Sequence, residues 1–492
     1  MPSGNDADSP ALLLRGGTVV DGTGAPRFAA DVRIEGERIV AVGANLAARG
    51  AGVIDAGGMI VAPGFIDVHT HDDQIVLSSP QMLPKVSQGV TTVVVGNCGI
   101  SLAPLVRTSV PPPLNLLGGA DKYVYPTMAA YVAALDAARP AVNVAALIGH
   151  STLRVATMDD PYRQATAAEQ ARMCELLREG LAAGASGLSS GVFYATGAAA
   201  DVDELALLAG VAGAAGGVYT THIRQEMDKV LDSLDEAFVT ARRGNVPLIV
   251  SHHKCAGPGN WGRTVETLAH IDAARRDQTI GLDCYPYIAG STVLRSDLVD
   301  GIIDVLVTWS TPHPEMTART LAGIADEWGC SQKEACERLQ PGGACYFQMC
   351  EDDVQRVLRY PATMIGSDGL PHDQHPHPRL WGTFPRVLGH YSRDLGLFSL
   401  ETAVHKMTGL SARQFRLADR GEIRVGAFAD AVLFDAATIG DTATFELPKA
   451  RAVGIDCVLV NGRVAYRRGG DEVERQGRFL ARPSQAEANP NP

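Results

Sequence analysis

Eight short apolar runs recur through the middle of this 492-residue chain, each ending in Gly or a polar residue. They are GFIDVHTH (64–71), VTTVVVGN (90–97), VNVAALIGH (142–150), ASGLSSG (185–191), GVYTTH (217–222), VPLIVSH (246–252), TIGLDCY (279–285) and ATMIGSD (362–368). Strands this apolar have no polar face for water and must be covered on both sides. Helix-like segments separate several of them, such as AAEQARMCELLREGLAAG (167–184). Eight buried strands joined by helical crossovers close into a (β/α)8 barrel, so the expected class is α/β with a TIM-type barrel.

The two ends follow a different pattern. Residues 12–61, and the stretches 421–435 and 455–470, alternate apolar and polar residues and break at Gly. That pattern gives half-buried strands and hairpins. Each end is too small to fold alone, so together they are expected to form one small β-sandwich domain. The expected division is 1–62 with 414–480 for the small domain, 63–413 for the barrel, and 481–492 for a C-terminal tail. The gap between the seventh and eighth runs is much longer than the others, so about 293–350 is read as an insertion at the barrel's C-terminal face, where a lid belongs. The loop 103–119, with Pro111, Pro112 and Pro113, is placed at the same face.

Charge and cysteine usage narrow the function. There are 43 Lys and Arg against 55 Asp and Glu, a net charge of −12 with no basic run. Nucleic acid and anionic membrane surfaces are therefore poor partners, and a small-molecule substrate is expected. No stretch of 18 apolar residues offers a membrane span, and residues 1–10 lack a secretory signal pattern. Nine cysteines, an odd number with no CxxC, do not form a disulfide framework. Reduced thiols and a cytoplasmic location are expected.

Barrel enzymes carry their chemistry at the C-terminal ends of the strands. Here those ends hold His69 and His71, Cys98, His222, His252 and Asp368. His69 and His71 are two residues apart and so share one side of a strand. Imidazole and thiolate are the usual zinc ligands. A lone His at a strand end is ordinarily a hydrogen-bonded structural residue, and a lone Cys a buried thiol. Six such groups at one barrel face exceed what packing needs. His253 points the other way along its strand and reads as structural. His372, His375 and His377 lie in a Pro-broken loop and read as solvated or substrate-facing rather than as a second metal cluster. Gly187-Leu188-Ser189-Ser190-Gly191 matches the G-x-S-x-G nucleophile elbow, but the rest of the chain does not read as that fold. No G-x-G-x-x-G precedes a helix, so no dinucleotide site is expected.

Longer motifs carry a resemblance. PGFIDVHTH (63–71), VTTVVVGNCGIS (90–101), GHSTLR (149–154), THIRQE (221–226), SHHK (251–254), YPYIAGST (285–292) and GSDGLPHD (366–373) resemble the amidohydrolase superfamily. Within it they look like the N-acyl-D-amino-acid deacylases, the D-aminoacylases, over about residues 12–470. The resemblance implies a tight zinc site at Cys98, His222 and His252. It also implies a second, weaker metal position by His69 and His71, with Cys98 able to bridge. Many relatives bridge through a carboxylated Lys on the fourth strand, and 185–191 contains none. The resemblance further implies Asp368 as the catalytic carboxylate and Lys254, Tyr285, Ser291 and Arg379 as substrate-binding residues. A planar guanidinium such as that of Arg379 suits a bidentate grip on a free carboxylate.

The activity implied is zinc-dependent hydrolysis of N-acyl-D-amino acids, with neutral, largely apolar side chains favoured. Three alternatives stand beside it. A deacylase for N-acyl-D-glutamate or N-acyl-D-aspartate needs an extra cation, for which Arg295 or Arg154 are candidates. A cyclic-amide hydrolase of hydantoinase type would carry the bridging Lys. A non-catalytic scaffold would have lost ligands that are present here.

Overall fold

The computed structural model describes residues 11–470 and 472–483, so most of the expected tail lies outside the described residues. All eight apolar runs form strands: Phe65–Asp67, Val90–Val95, Asn143–Gly149, Gly187–Gly191, Val218–His222, Leu248–Val250, Ile280–Cys284 and Thr363–Ile365. Each pairs in parallel with the next, in chain order. A parallel bridge between Thr70 and Gly369 brings the last strand back to the first. The (β/α)8 barrel expected from the sequence is therefore present. Every residue of these eight strands is buried, which explains the missing polar alternation. The crossover helix Ala167–Ala182 begins with a capping box, in which Thr166 and Glu169 satisfy each other's backbone N–H groups.

One end of the barrel interior is plugged. Ile66, Val94, Ala145, Leu147, Val218, Ile249 and Met364 form a cluster with Leu410, Ala412 and Phe415. The last three lie on or just beyond the short helix Gly409–Gln414. Its Gln414 side chain sits so close to Gly281, near the start of the seventh strand, that a Cβ there would lie 3.0 Å away. Only the C-terminal mouth remains for a ligand.

The terminal segments meet in one eight-stranded sheet with its own apolar core, including Leu14, Val32, Ile54, Val61, Leu433 and Leu459. The seam is an antiparallel pairing of Ile60–Pro63 with Ala431–Phe434. Residues 477–482 do not join this sheet. They run against the barrel, with Leu480 N–H donating to Val144 O and Arg482 N–H to Gly184 O. The insertion begins slightly before the expected boundary. Strands Gly290–Val293, Val305–Ser310 and Gly342–Tyr346 form a separate antiparallel sheet, packed on helices Leu321–Trp328 and Gln332–Leu339.

A buried polar knot ties barrel, sheet and C-terminal segment together. Asp430 pairs with Arg420 and accepts from the Asn461 backbone N–H at 2.8 Å. The Asn461 amide in turn donates to Asn143 Oδ1 at 2.8 Å and to Gln476 O at 2.8 Å. Removing one member of a buried pair leaves an uncompensated charge, at a cost of about 3–5 kcal/mol. Asp430→Ala should lose about that much in a denaturant titration, because Arg420 stays buried without its partner. A variant within about 0.5 kcal/mol of the parent, the usual range for a surface change, would show that the knot contributes nothing.

Candidate metal and substrate site

The open mouth of the barrel gathers all six strand-end residues. Cys98 is at the centre. Its Sγ lies 3.2 Å from His69 Nε2 and 3.4 Å from His252 Nε2. The ligand atoms of Cys98, His222 and His252 all fall within 4.8 Å of one another, as do those of His69, His71, Cys98 and Asp368. These are two candidate metal positions that share Cys98. The donor set of the first, one sulfur and two imidazoles, is that of zinc. His222 fits this reading on its own evidence, because both of its ring nitrogens are buried and lack a hydrogen-bond partner. Such a side chain is costly unless something binds it.

Backbone conformation aims these groups. Cys98, His252 and Asp368 all adopt positive φ, at 52°, 35° and 50°. Non-glycine residues rarely do so, and such strain concentrates at functional sites. The turn at Cys98 presses on its neighbours. A Cβ on Gly191 would lie 2.1 Å from Cys98 O, so the end of the fourth strand must be glycine. Ser189 Oγ donates to Gly96 O and accepts from Gly99 N–H at 3.0 Å, bracing the turn on both sides. This is the work of the apparent nucleophile elbow. Its neighbour Ser190 is bound to Tyr219 OH and Thr221 Oγ1.

Several carboxylates that the motif reading did not single out orient the imidazoles. Asp283 lies 3.2 Å from His69 Nδ1 and accepts the His252 backbone N–H at 3.0 Å. Glu226 Oε1 lies 3.1 Å from His252 Nδ1 and 2.6 Å from Lys254 Nζ. Asp67 accepts the Ser367 backbone N–H at 2.7 Å and pairs with the buried Lys85 at 2.7 Å. Carboxylates behind imidazoles set ring orientation and raise ligand basicity. Asp67 and Asp283 had a sequence signal, since each interrupts an apolar strand run. Lys85 had none.

Electrostatics follow from this packing. Burial pushes the Cys98 thiol up, but His69 and His252 outweigh it and hold its pKa well below the ordinary value. Burial likewise raises Asp368, yet Arg379 and His69 hold it well below the usual carboxylate range. Burial lowers His71, but hydrogen bonds to Asp368 and Cys98 bring its pKa up to about 9.

A cavity of about 350 Å³ opens on this centre, lined by His71, His222, His252 and Asp368 together with Lys254, Tyr285 and Ser291. The inserted sheet closes one side through Thr292, Arg295 and Tyr346. Arg379 stands behind this wall, fully buried. Its Nη1 is 2.9 Å from Asp368 Oδ2, its Nη2 donates to Ser291 O at 3.1 Å, and its guanidinium stacks 4.4 Å from the Tyr285 ring. Arg379 Nε and Ser291 Oγ have no hydrogen-bond partner.

Other candidates lie elsewhere. Arg154 is buried on Glu204 and backbone carbonyls, away from the cavity. His253 donates to or accepts from Thr267 Oγ1 at 2.8 Å, as a structural residue should. The histidine-rich loop differs from expectation at His377. That ring is buried rather than solvated, with Nδ1 accepting the Arg379 backbone N–H at 3.0 Å and Nε2 at 3.0 Å from Ala289 O. It braces the start of the Arg379 helix and contacts no metal cluster among the described residues.

Comparison with known proteins places the chain. A model described as "Amidohydrolase family" matches residues 52–298 and 331–466. Three relatives come from Alcaligenes xylosoxydans xylosoxydans. A D-aminoacylase is 50% identical, covering 98% of this chain and 99% of the relative. An N-acyl-D-glutamate deacylase is 49% identical and an N-acyl-D-aspartate deacylase 48%, each covering 96% of both chains. Among solved structures, a D-aminoacylase superposes with a TM-score of 0.94 at 52% identity, covering 96% of this chain and 99% of that one. An N-acyl-D-glutamate deacylase from Bordetella bronchiseptica, complexed with zinc and a phosphonate inhibitor, gives 0.92 at 48% identity, with the same coverage.

Proposed function

The chain belongs to the amidohydrolase family, and from that premise we propose that it hydrolyses N-acyl-D-amino acids to a D-amino acid and a carboxylate. The observation that carries the reading is the convergence of Cys98, His222 and His252 beside Asp368 on one cavity. We assign a tight zinc to Cys98, His222 and His252, and a second, weaker position to His69 and His71 with Cys98 shared. Zinc at the tight site supplies the Lewis acidity that polarises the amide carbonyl and acidifies water.

The chain's own residues supply the rest. Asp368 enters ionised and so accepts the proton of the attacking water. The same carboxyl then delivers that proton to the leaving nitrogen, without which an amide does not part. His69 or His71 is assigned to help stabilise the developing oxyanion. Lys254, Tyr285 and Ser291 face the cavity and are assigned to the substrate's α-carboxylate. Arg379 supports that end from behind, through its free Nε and its contact with the Ser291 backbone.

Neutral side chains are favoured by the pairing of the cavity's two guanidiniums. Arg224 Nη2 is 2.7 Å from Glu236, and Arg295 Nη2 is 2.6 Å from Asp297. An acidic side chain would first have to displace one of these carboxylates. The acidic-substrate reading rests on Arg295 alone, because Asp297 is largely exposed and a pair of that kind is worth little. The fourth strand offers serines rather than a lysine, which disfavours the hydantoinase reading. No helix among the described residues is long and apolar enough to cross a membrane. Nine free cysteines favour a reducing, cytoplasmic setting.

Two measurements test this. In a panel of N-acetyl-D- and L-amino acids, D-methionine, D-leucine and D-phenylalanine derivatives should be hydrolysed and their enantiomers barely. Equal rates on both enantiomers would remove the D-specific reading and leave the family assignment intact. Asp368→Asn keeps the shape of the carboxyl but cannot accept the proton. It should lose kcat by about 10²-fold or more while still binding substrate. Normal turnover by this variant would move the proton transfer to another group, with His69 and His71 next in line.

A further inference from the structure

The barrel has one seam that the backbone barely closes. Every other neighbouring pair of strands shares a ladder of hydrogen bonds. The first and eighth strands are joined instead by the isolated bridge between Thr70 and Gly369, with Asp368 N–H donating to His69 O at 2.7 Å. Yet this is where proton transfer needs its closest tolerance. Across the seam, Asp368 Oδ1 lies 3.5 Å from His69 Nε2 and 3.2 Å from His71 Nε2. The approach is tight as well, since a Cβ on Gly366 would lie 2.4 Å from His69 Cβ.

One side chain spans the seam. Lys85 sits on the short helix Leu83–Val86, in the crossover after the first strand, and is fully buried. Its Nζ donates to Asp67 Oδ2 at 2.7 Å and to Ser367 Oγ at 2.8 Å, and lies 3.2 Å from Asp72 Oδ2. Asp67 and Asp72 flank His69 and His71 in the chain, and Ser367 immediately precedes Asp368. The hold is doubled, because Asp67 Oδ1 accepts the Ser367 backbone N–H and Ser367 Oγ accepts the Gly369 N–H at 3.3 Å. Gln88, from the same crossover, steadies the Arg379 helix by donating to Leu380 O at 2.8 Å and accepting the Phe384 N–H at 3.3 Å. Lys85 does not line the catalytic cavity, so it acts through the groups it holds. A buried cation between two carboxylates adds little to stability but admits few alternative arrangements.

We propose that Lys85 is a positioning residue: it latches the first strand to the eighth and sets Asp368 against His69 and His71. The proposal rests on the deacylase reading above, in which Asp368 moves the proton. A displacement of about 1 Å caused by a change remote from the reacting atoms can cost about 10²-fold in rate. The zinc ligands Cys98, His222 and His252 belong to the second, fifth and sixth strands and are not held by this cluster. The latch therefore acts on kcat and leaves metal content and substrate binding alone.

The test measures hydrolysis of N-acetyl-D-methionine by the zinc-loaded enzyme and by Lys85→Met and Ser367→Ala. Each change is also made in the Asp368→Asn background. Ser367→Ala removes one bond of the latch and leaves the Lys85–Asp67 pair whole, so it decides the matter alone if Lys85→Met does not fold. Relative to the parent, kcat should fall about 10²-fold in Lys85→Met and about ten-fold in Ser367→Ala, with KM within three-fold and zinc content unchanged. In the Asp368→Asn background neither change should alter kcat by more than two-fold, because the group being positioned no longer takes the proton. A folded variant with kcat within two-fold of the parent overturns the latch and leaves the deacylase reading standing. Equal fold-losses with and without Asp368 overturn it too, as does a loss explained by missing zinc or a raised KM. Normal turnover by Asp368→Asn removes the proton-transfer role and the latch with it. A parent inactive on this substrate and on the other N-acetyl-D-amino acids removes the deacylase reading itself.

Discussion

A buried thiol held among imidazoles is the constraint around which this molecule is arranged. Cys98 contacts His69 and His252 directly, and its ligand atom belongs to both candidate metal positions. A thiolate in such a dry place must be compensated by cations. Histidines from the first, fifth and sixth strands surround it, and a metal cation held with them would supply that compensation. Placing the sulfur there requires a left-handed turn after the second strand. The turn is tolerated only because Gly191 leaves room for the Cys98 carbonyl and Ser189 braces the flanking backbone.

A second layer holds the first in place. Asp283 fixes one ring and the backbone of another, while Glu226 joins His252 to Lys254. A metal ligand and a proposed substrate-binding cation therefore share one carboxylate. Arg379 makes a comparable link on the opposite side, where it touches Asp368, the Ser291 backbone and the Tyr285 ring. The groups proposed for binding and for proton transfer are thus linked through two buried ion pairs. Such pairs make weak contributions to stability but leave few alternative arrangements for the site.

Much of this was legible from residues alone. Strands buried on both faces show as unbroken apolar runs, and a barrel places their polar ends at one mouth, so His69, His71, Cys98, His222, His252 and Asp368 were all found by position. The helix 167–184 was legible because its capping residues and apolar spacing are local. Other features were not. Lys85 and Glu226 act through partners elsewhere in the chain, and nothing near them distinguishes a buried ion pair from a surface charge. The orientation of Arg379 depends on the insertion packing beside it, so a guanidinium suited to a carboxylate could not be told from one that supports Asp368. His377 was misjudged because a proline-rich loop usually lies in water, whereas this one folds under the inserted sheet.

The measurement closest to the central claim is X-ray absorption at the zinc edge of the enzyme as purified with stoichiometric metal. If Cys98, His222 and His252 hold the ion, the spectrum contains one sulfur neighbour at about 2.3 Å with imidazole nitrogens at about 2.0–2.1 Å. The sulfur shell disappears in Cys98→Ala. A shell of nitrogen and oxygen alone in the parent enzyme, or an unchanged spectrum in that variant, would contradict the account.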